Sequence, residues 1–404
     1  MSDQTTQPAY RWVIVTASAL ILAIAMGAVI NGMSAFIVPM QDTYGWQRGE
    51  VALINFSGII GIAFGGLVMG PLADRHGTRP VVLFGVTILG LCYVAASYLT
   101  SLWALYGVFF IAGFFGAGAI FPPIMATVGN WFLVGAGLAI GIVSAGQAMG
   151  QGGVPHASSY LIEALGTDRA LRATGLFMLA TMVPLALLLR PPPPLSMAQQ
   201  AADTAEEAAS LPANIIIIHL CLAIVLCCTC MSTPLMHLVP LIQDRGFASE
   251  QAGSVIFAML LVGIAGRLAF GKLADTIGAL PAYMSATAWM TAMVFGFVMI
   301  ETLESFYIYA AIYGFGYAGV MTGVLVSIRM LIPPTRRAAA FGIVTMFGWF
   351  GHAIGGYQGG LFYDLTGDYS TPYGIAAASG VINLLVVSSL LLRLRTHSQS
   401  ALQA

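Results

Sequence analysis

The chain has 404 residues, of which 58% are hydrophobic and only 8% charged, with a mean hydropathy of +0.88. A soluble domain carries about 25% charged residues, so a globule dissolved in water is excluded and lipid must be the solvent. The net charge of −1 gives no basis for binding nucleic acid, and any charge argument has to come from position along the chain.

The first apolar run, residues 12–38, is too long for a signal-peptide core and lacks a clear cleavage site; it is expected to stay as the first membrane span. A spanning helix needs about 20 apolar residues. Breaks at charges, Gly and Pro predict helices near 12–38, 50–71, 79–99, 101–127, 133–160 and 171–190. A second set is predicted near 213–241, 250–272, 279–300, 304–330, 336–363 and 371–392. Runs this long exclude strands, because only helices or closed barrels satisfy their backbone in hydrocarbon. The expected fold is therefore an all-α membrane protein of twelve transmembrane helices.

Between the sets lies RPPPPLSMAQQAADTAEEAASLP, from Arg190 to Pro212. Four prolines stop a helix and favour an extended stretch, and the Ala/Gln/Glu segment that follows is suited to a short surface helix. The division is thus a bundle over 1–190, a linker over 191–212 on the cytoplasmic side and a bundle over 213–404. An even number of spans places both termini on one side. Arg11, Arg75, Arg79, Arg190, Lys272, Arg329, Arg336, Arg337, Arg393 and Arg395 fall on that side, against Arg48, Arg169, Arg172 and Arg245 on the other. That asymmetry predicts cytoplasmic termini in a plasma or inner membrane. Trp12, Trp46, Trp103 and Trp131 fall near span ends, as an aromatic belt requires.

Cys92, Cys221, Cys227, Cys228 and Cys230 all lie in apolar runs. Cys227 and Cys230 form a C-x-x-C, but a zinc or redox site needs further ligands. They read as small apolar residues, with no metal site and no cofactor expected.

The two halves repeat. GPLADRHG (Gly70–Gly77) recurs as GKLADTIG (Gly271–Gly278), 201 residues later, each after the second helix of its half. Two related six-helix halves joined by a linker are the signature of an alternating-access carrier. With these doubled loops the chain resembles the major facilitator superfamily over nearly its whole length. That resemblance implies a conformational latch with Asp74 and Asp275 as pins and Arg75 beside the first; a carboxylate there is favoured by a neighbouring helix N-terminus. The plain alternative is a solvated charged turn, and Thr276 stands where the second copy would need its arginine.

Within that fold, FIVPMQDTYGWQRGEVALI (Phe36–Ile54) and NWFLVGAGLAIGIVSAGQAMGQG (Asn130–Gly152) resemble the monocarboxylate porters, to which oxalate–formate-type exchangers are related. Three features depart from the pattern. Leu133, Val134 and Gly135 stand where basic residues are usual, Asn31 where animal members carry a lysine, and Gly263 where they carry an aspartate one turn before an arginine in the eighth helix.

That arginine is Arg267. A cation inside a membrane helix costs roughly 2.5–3.5 kcal/mol on insertion scales, less if it snorkels. Lys272 lies about 7.5 Å further on at the helical rise, a reach an arginine stem covers, so snorkelling is one reading. The other, which the resemblance favours, is that Arg267 faces a water-filled cavity and grips a carboxylate bidentately. No Asp or Glu lies deep in a predicted span: Glu163, Glu250, Glu301, Glu304 and Asp364 all fall near ends.

His237 sits between Pro234 and Pro240, prolines expected to break the helix and free carbonyls. It is a candidate to donate to substrate or hold a proton, or else to bond a freed carbonyl. His352 is a second candidate; His76, His156 and His219 lie nearer span ends. Tyr309, Tyr313 and Tyr317 share one helix face, a pattern that packing alone explains, with Tyr317 the deepest. Asn31, Phe121, Gln147 and Tyr357 complete the possible lining, and Asn31, polar at mid-span, must find a partner.

The function these readings predict is a carrier of small monocarboxylates such as lactate or pyruvate, working by alternating access with proton symport. Its expected partners are the carboxylate substrate, protons and the lipid bilayer, and it is expected to be a monomer. An oxalate–formate-type anion exchanger is the alternative in the same fold, and a non-transporting sensor the alternative of another class. No nucleophile–base pair or metal-ligand spacing suggests an enzyme.

Overall fold

The computed structural model of the protein describes residues 9–46, 48–132, 134–193 and 211–403, so the body of the linker, 194–210, lies outside the described residues. Within them every regular element is helical. Eleven helical stretches are long and apolar enough to cross a membrane. A further helix, Ala136–Leu165, is 30 residues long, but its glycines and Gln147 and Gln151 dilute its hydropathy. These stretches coincide with the twelve predicted spans, most of them a few residues longer than predicted.

By internal contacts the chain divides into two compact units. One holds residues 1–192 with 334–346; the other holds 193–333 with 347–404.

In the first unit, α1 (Tyr10–Met26) does not run on as a plain helix. It passes into a π-turn, Gly27–Asn31, and a 3-10 turn, Gly32–Phe36, before α2 (Ile37–Tyr44). Such a change of winding interrupts the regular ladder of backbone bonds. Side chains from neighbouring helices attend to it: Tyr93 Oη donates to the Ala28 carbonyl at 2.8 Å and Asn55 Nδ2 to the Ile30 carbonyl at 2.9 Å. Next come α3 (Arg48–His76) and α4 (Thr78–Ala96). The fourth span is α5 (Leu102–Ile111), then π and 3-10 turns over Ala112–Ala119, then α6 (Phe121–Trp131). The unit closes with α7 (Ala136–Leu165) and α8 (Thr167–Leu187).

The second unit contains α9 (Ala213–Asp244), α10 (Ser249–Ile277), α11 (Ala279–Val294), α12 (Leu303–Leu331) and α14 (Ser370–Gln403). The first turns of α13 (Arg337–Thr366) belong to the first unit and the rest to the second.

The repeated loop closes the same way in both copies. Gly77 and Gly278 take φ of +87° and +93°, a conformation that costs other residues strain, and their N–H groups bond back to Ala73 and Ala274 at 2.9 and 3.1 Å.

Two sequence expectations need correction. Pro234 and Pro240 do not break their helix: α9 is continuous through both. Each proline removes one bond, whereas a full break in hydrocarbon would strand several more polar groups. Trp131 is not part of an exposed belt. It is 7% exposed, and its indole donates to the Arg190 carbonyl at 2.9 Å, whereas Trp103 is 82% exposed.

Where no water drives helices together, close approach of backbones supplies the packing. The seam between α10 and α12 is built that way. A β-carbon at Gly266 would collide with the Phe315 carbonyl, and one at Gly314 with the Met259 carbonyl. Gly107, by contrast, faces open space. Gly266→Ala should therefore cost about 1–3 kcal/mol, as overpacking does, and lower the thermal midpoint in detergent by several degrees. Gly107→Ala should leave the midpoint unchanged or slightly raised, since a helix-interior glycine is itself unfavourable.

Candidate functional site

The α10–α12 seam puts a permanent cation and a phenol near the midpoints of the two helices, within electrostatic reach of one another. Gly263 is the midpoint of α10, and Arg267 lies about 6 Å along the helix from it at 1.5 Å per residue. Tyr317 is the midpoint of α12. The guanidinium and the phenol act on one another electrostatically, and Cys228 of α9 is a further neighbour of Tyr317. Tyr317 is only 5% exposed and stacks on Tyr313 with ring centroids 5.8 Å apart. A planar fork and an adjacent phenol are the donor set for a carboxylate with a second oxygen next to it.

Helix α10 runs on to Ile277, so Lys272 does not mark its end, and Arg267 stands about 15 Å from that end at the helical rise. The position that holds aspartate in the porters is Gly263. A β-carbon there would sit 3.1 Å from the Ala318 β-carbon and 3.3 Å from the Gly314 carbonyl. A side chain there would press on α12, which would have to give by a few tenths of an ångström.

His237 lies elsewhere in the same unit. It is about 10 Å from the Asp244 end of α9, while Arg267 is about 27 Å from the Ser249 end of α10, the two ends joined by one short loop. A three-carbon acid does not span that difference, so the structure brings Tyr317 to Arg267 but leaves His237 apart. His237 Nε2 donates to the Gly356 carbonyl of α13 at 2.8 Å, and its ring lies 5.7 Å from that of Tyr369. His352 points back to its own helix, Nδ1 3.4 Å from the Gly348 carbonyl. Tyr357 is 72% exposed. Tyr309 donates to the Met293 carbonyl at 2.7 Å and packs on Phe297, which makes it a packing residue.

In the first unit, Asn31 ends the π-turn of the first span, and its amide donates to the Gln151 carbonyl of α7 at 3.0 Å. Gln147, half-buried, lies one turn before Gln151. Phe121 opens α6 directly after the irregular turns of the fourth span and is buried.

Asp74 accepts backbone hydrogen bonds from Ala338 (3.2 Å) and Ala339 (2.9 Å), the first turn of α13. These are unsatisfied donors of a helix start, where a carboxylate also gains from the helix dipole. Gly66 and Gly342 meet backbone to backbone in the same place. Arg75 is exposed and Asp275 half-buried. The guanidinium of Arg337 donates to the Asn130 amide oxygen, a contact the sequence reading did not anticipate. Its signal was faint: two polar residues at span ends, 207 positions apart. Tyr369, in the turn before α14, and Tyr373, in its first turn, were also missed; their rings meet edge-on at 6.1 Å.

A half-buried guanidinium near mid-helix lies in an all-helical, multi-span chain whose loop motif occurs twice. A model of the Major Facilitator Superfamily matches residues 19–310 and 220–403, and the chain belongs to that family. It is similar to monocarboxylate transporter 13 of Rattus norvegicus, 26% identical over 375 residues that cover 91% of this chain and 86% of the relative. It is also similar to monocarboxylate transporter 2 of Homo sapiens, 23% identical over 416 residues, covering 95% and 86% respectively. Among solved structures, the human organic anion transporter MFSD10 superposes with a TM-score of 0.76 at 18% identity, covering 94% of this chain and all of that one. The proton:xylose symporter XylE gives 0.70 at 13%, covering 95% and 96%. At these identities the structures establish the fold.

The Asp74 contact is testable. Asp74→Asn removes the charge and one acceptor, and should destabilise the protein by about 1–2 kcal/mol, the range for a partly buried charge at a helix N-terminus. Thermal unfolding in detergent reads this; an unchanged midpoint would show that the two bonds contribute nothing.

Proposed function

We propose that this protein carries small monocarboxylates of the lactate and pyruvate kind across a plasma membrane by alternating access, with a proton moving alongside. The observation that carries this reading is the pairing of Arg267 with Tyr317 at membrane depth. The guanidinium takes the carboxylate through two parallel bonds, and the phenol takes the neighbouring hydroxyl or keto oxygen. The similarity to proteins named monocarboxylate transporters supports the substrate class. Arg267 binding leaves the carboxylate charge neutralised during passage, which lowers the cost of moving it. His237, at a shallower level, is assigned to the proton rather than to the substrate. Asp74 and Asp275 are the latch pins of one conformer, Asp74 through its bonds to Ala338 and Ala339. The termini are assigned to the cytoplasm.

Uptake of labelled lactate into proteoliposomes tests the assignment. Removing one partner of a desolvated charge pair costs about 2–5 kcal/mol, so Arg267→Ala should lower uptake at least about thirtyfold. Arg267→Lys keeps the charge but not the fork and should lose about tenfold or more. Near-normal uptake by the alanine variant would end the assignment. If instead the anion-exchanger alternative holds, uptake will require lactate or a dianion inside the vesicle and will ignore an imposed pH gradient.

A further inference from the structure

The second unit contains hydroxyls that its own side chains do not satisfy. Tyr313 and Tyr373 are both fully buried, and neither Oη has a hydrogen-bond partner. Both rings pack on Phe297, at 5.0 and 6.2 Å. The hydroxyls of Thr287 and Thr291 on α11 are likewise buried without partners, and Thr291 lies against Gly380 of α14. Cys230 of α9 lies against that same Gly380 and is an electrostatic neighbour of Tyr313. Buried polar groups in folded proteins are almost always paired, with ordered water where no protein group serves. Hydroxyls on three helices, with none of them paired, therefore mark a place for internal water.

Tyr313 and Tyr373 lie between the Arg267 level and one end of the unit. Tyr317 and Tyr313 stack. Tyr373 packs edge-on to Tyr369 at 6.1 Å, and Tyr369 lies 4.4 Å from Tyr363. Tyr363 Oη donates to Asp244 Oδ2 at 3.0 Å, and His237 lies against Tyr369. The Gly356 carbonyl that His237 Nε2 meets is only an acceptor, so the ring proton of the neutral imidazole is on Nε2. Nδ1 is then the open basic nitrogen, with no hydrogen bond among the described residues. The titratable groups that face this mouth are Asp244 on α9, Tyr363 and Asp364 on α13, and Tyr369 in the turn between α13 and α14. Burial first, and the Asp244 carboxylate second, push the Tyr369 phenol up to about 12, so it keeps its proton as a donor throughout the physiological range.

We infer that protons reach the Arg267–Tyr317 site through the interior of the second unit, resting on His237 Nδ1 and passing along water held by the Tyr373 and Tyr313 hydroxyls. Each hydroxyl accepts one proton and gives up another, so none is left charged. The proton taken from outside water crosses together with the carboxylate, which stays ionised while the guanidinium holds it. The path stands in for a carboxylate at position 263, where this chain has glycine. It rests on the proposed carrier function and adds to it the route of the coupled ion.

The experiment uses the full chain in proteoliposomes with a pH-sensitive dye inside, and compares wild type with Tyr313→Phe/Tyr373→Phe. Removing two unpartnered hydroxyls leaves the ring packing intact. Lactate–lactate exchange, which needs no net proton movement, should stay within about twofold of wild type. Lactate-driven acidification and net uptake down a proton gradient should fall at least about tenfold. Acidification within twofold of wild type would overturn the path, and so would equal loss of exchange and net uptake, because a proton route acts on net flux alone. A wild-type chain that exchanges no lactate and gives no acidification brings down the carrier reading, and the path with it. A wild type that acidifies beside a double variant that matches it brings down the path alone.

Discussion

Hydrocarbon offers no hydrogen bonds, and that one property of the solvent governs this molecule from end to end. Every backbone N–H and C=O must be paired within the protein. Where the first span leaves regular helix over Gly27–Phe36, Tyr93 and Asn55 reach over from α4 and α3 to the Ala28 and Ile30 carbonyls. Where α13 starts with unsatisfied N–H groups, the Asp74 carboxylate takes two of them. The same rule makes the exceptions informative. The Tyr313 and Tyr373 hydroxyls are such exceptions, buried without a protein partner.

The second consequence concerns packing. Lipid tails are as apolar as leucine, so burying leucine gains little, and contact between backbones does more. Glycine is the device. In the first unit, Gly150 of α7 sits against the Ala23 carbonyl of α1, and Gly65 of α3 against that of Phe114. In the second, Gly263, Gly266, Gly314 and Gly319 seat α10 against α12. The seam is tight at position 263 too, where a β-carbon would press on Ala318 and the Gly314 carbonyl.

Depth along the membrane separates the roles. Arg267 and Tyr317 lie near the midpoints of their helices, where a charge is most costly and so most informative. His237, Tyr363, Tyr369 and Asp244 gather towards one end, where water supplies and receives protons easily. Between the two levels lie Tyr313 and Tyr373, each packed on Phe297.

Much of this was legible before any coordinates. Apolar run lengths set the number and limits of the helices, because membrane thickness is constant and helical rise is fixed. The doubled G-x-L-A-D-x-x-G loop placed Gly77 and Gly278 at their turns, since only a residue without a β-carbon takes that conformation freely. Arg267 stood out because a charge in an apolar run is expensive wherever the helix happens to face. What the sequence left undecided were matters of direction and distance between helices. Whether Pro234 and Pro240 break α9, whether Trp131 faces lipid or packs on Arg190, and whether His237 reaches Arg267 all depend on neighbours remote in the chain. The pairing of Arg337 with Asn130, and the meeting of Tyr313 with Tyr373 around Phe297, join residues from different helices whose relative rotation no periodicity encodes. Those were decided by tertiary packing, because a side chain's partners in lipid are set by which helix face lies opposite it.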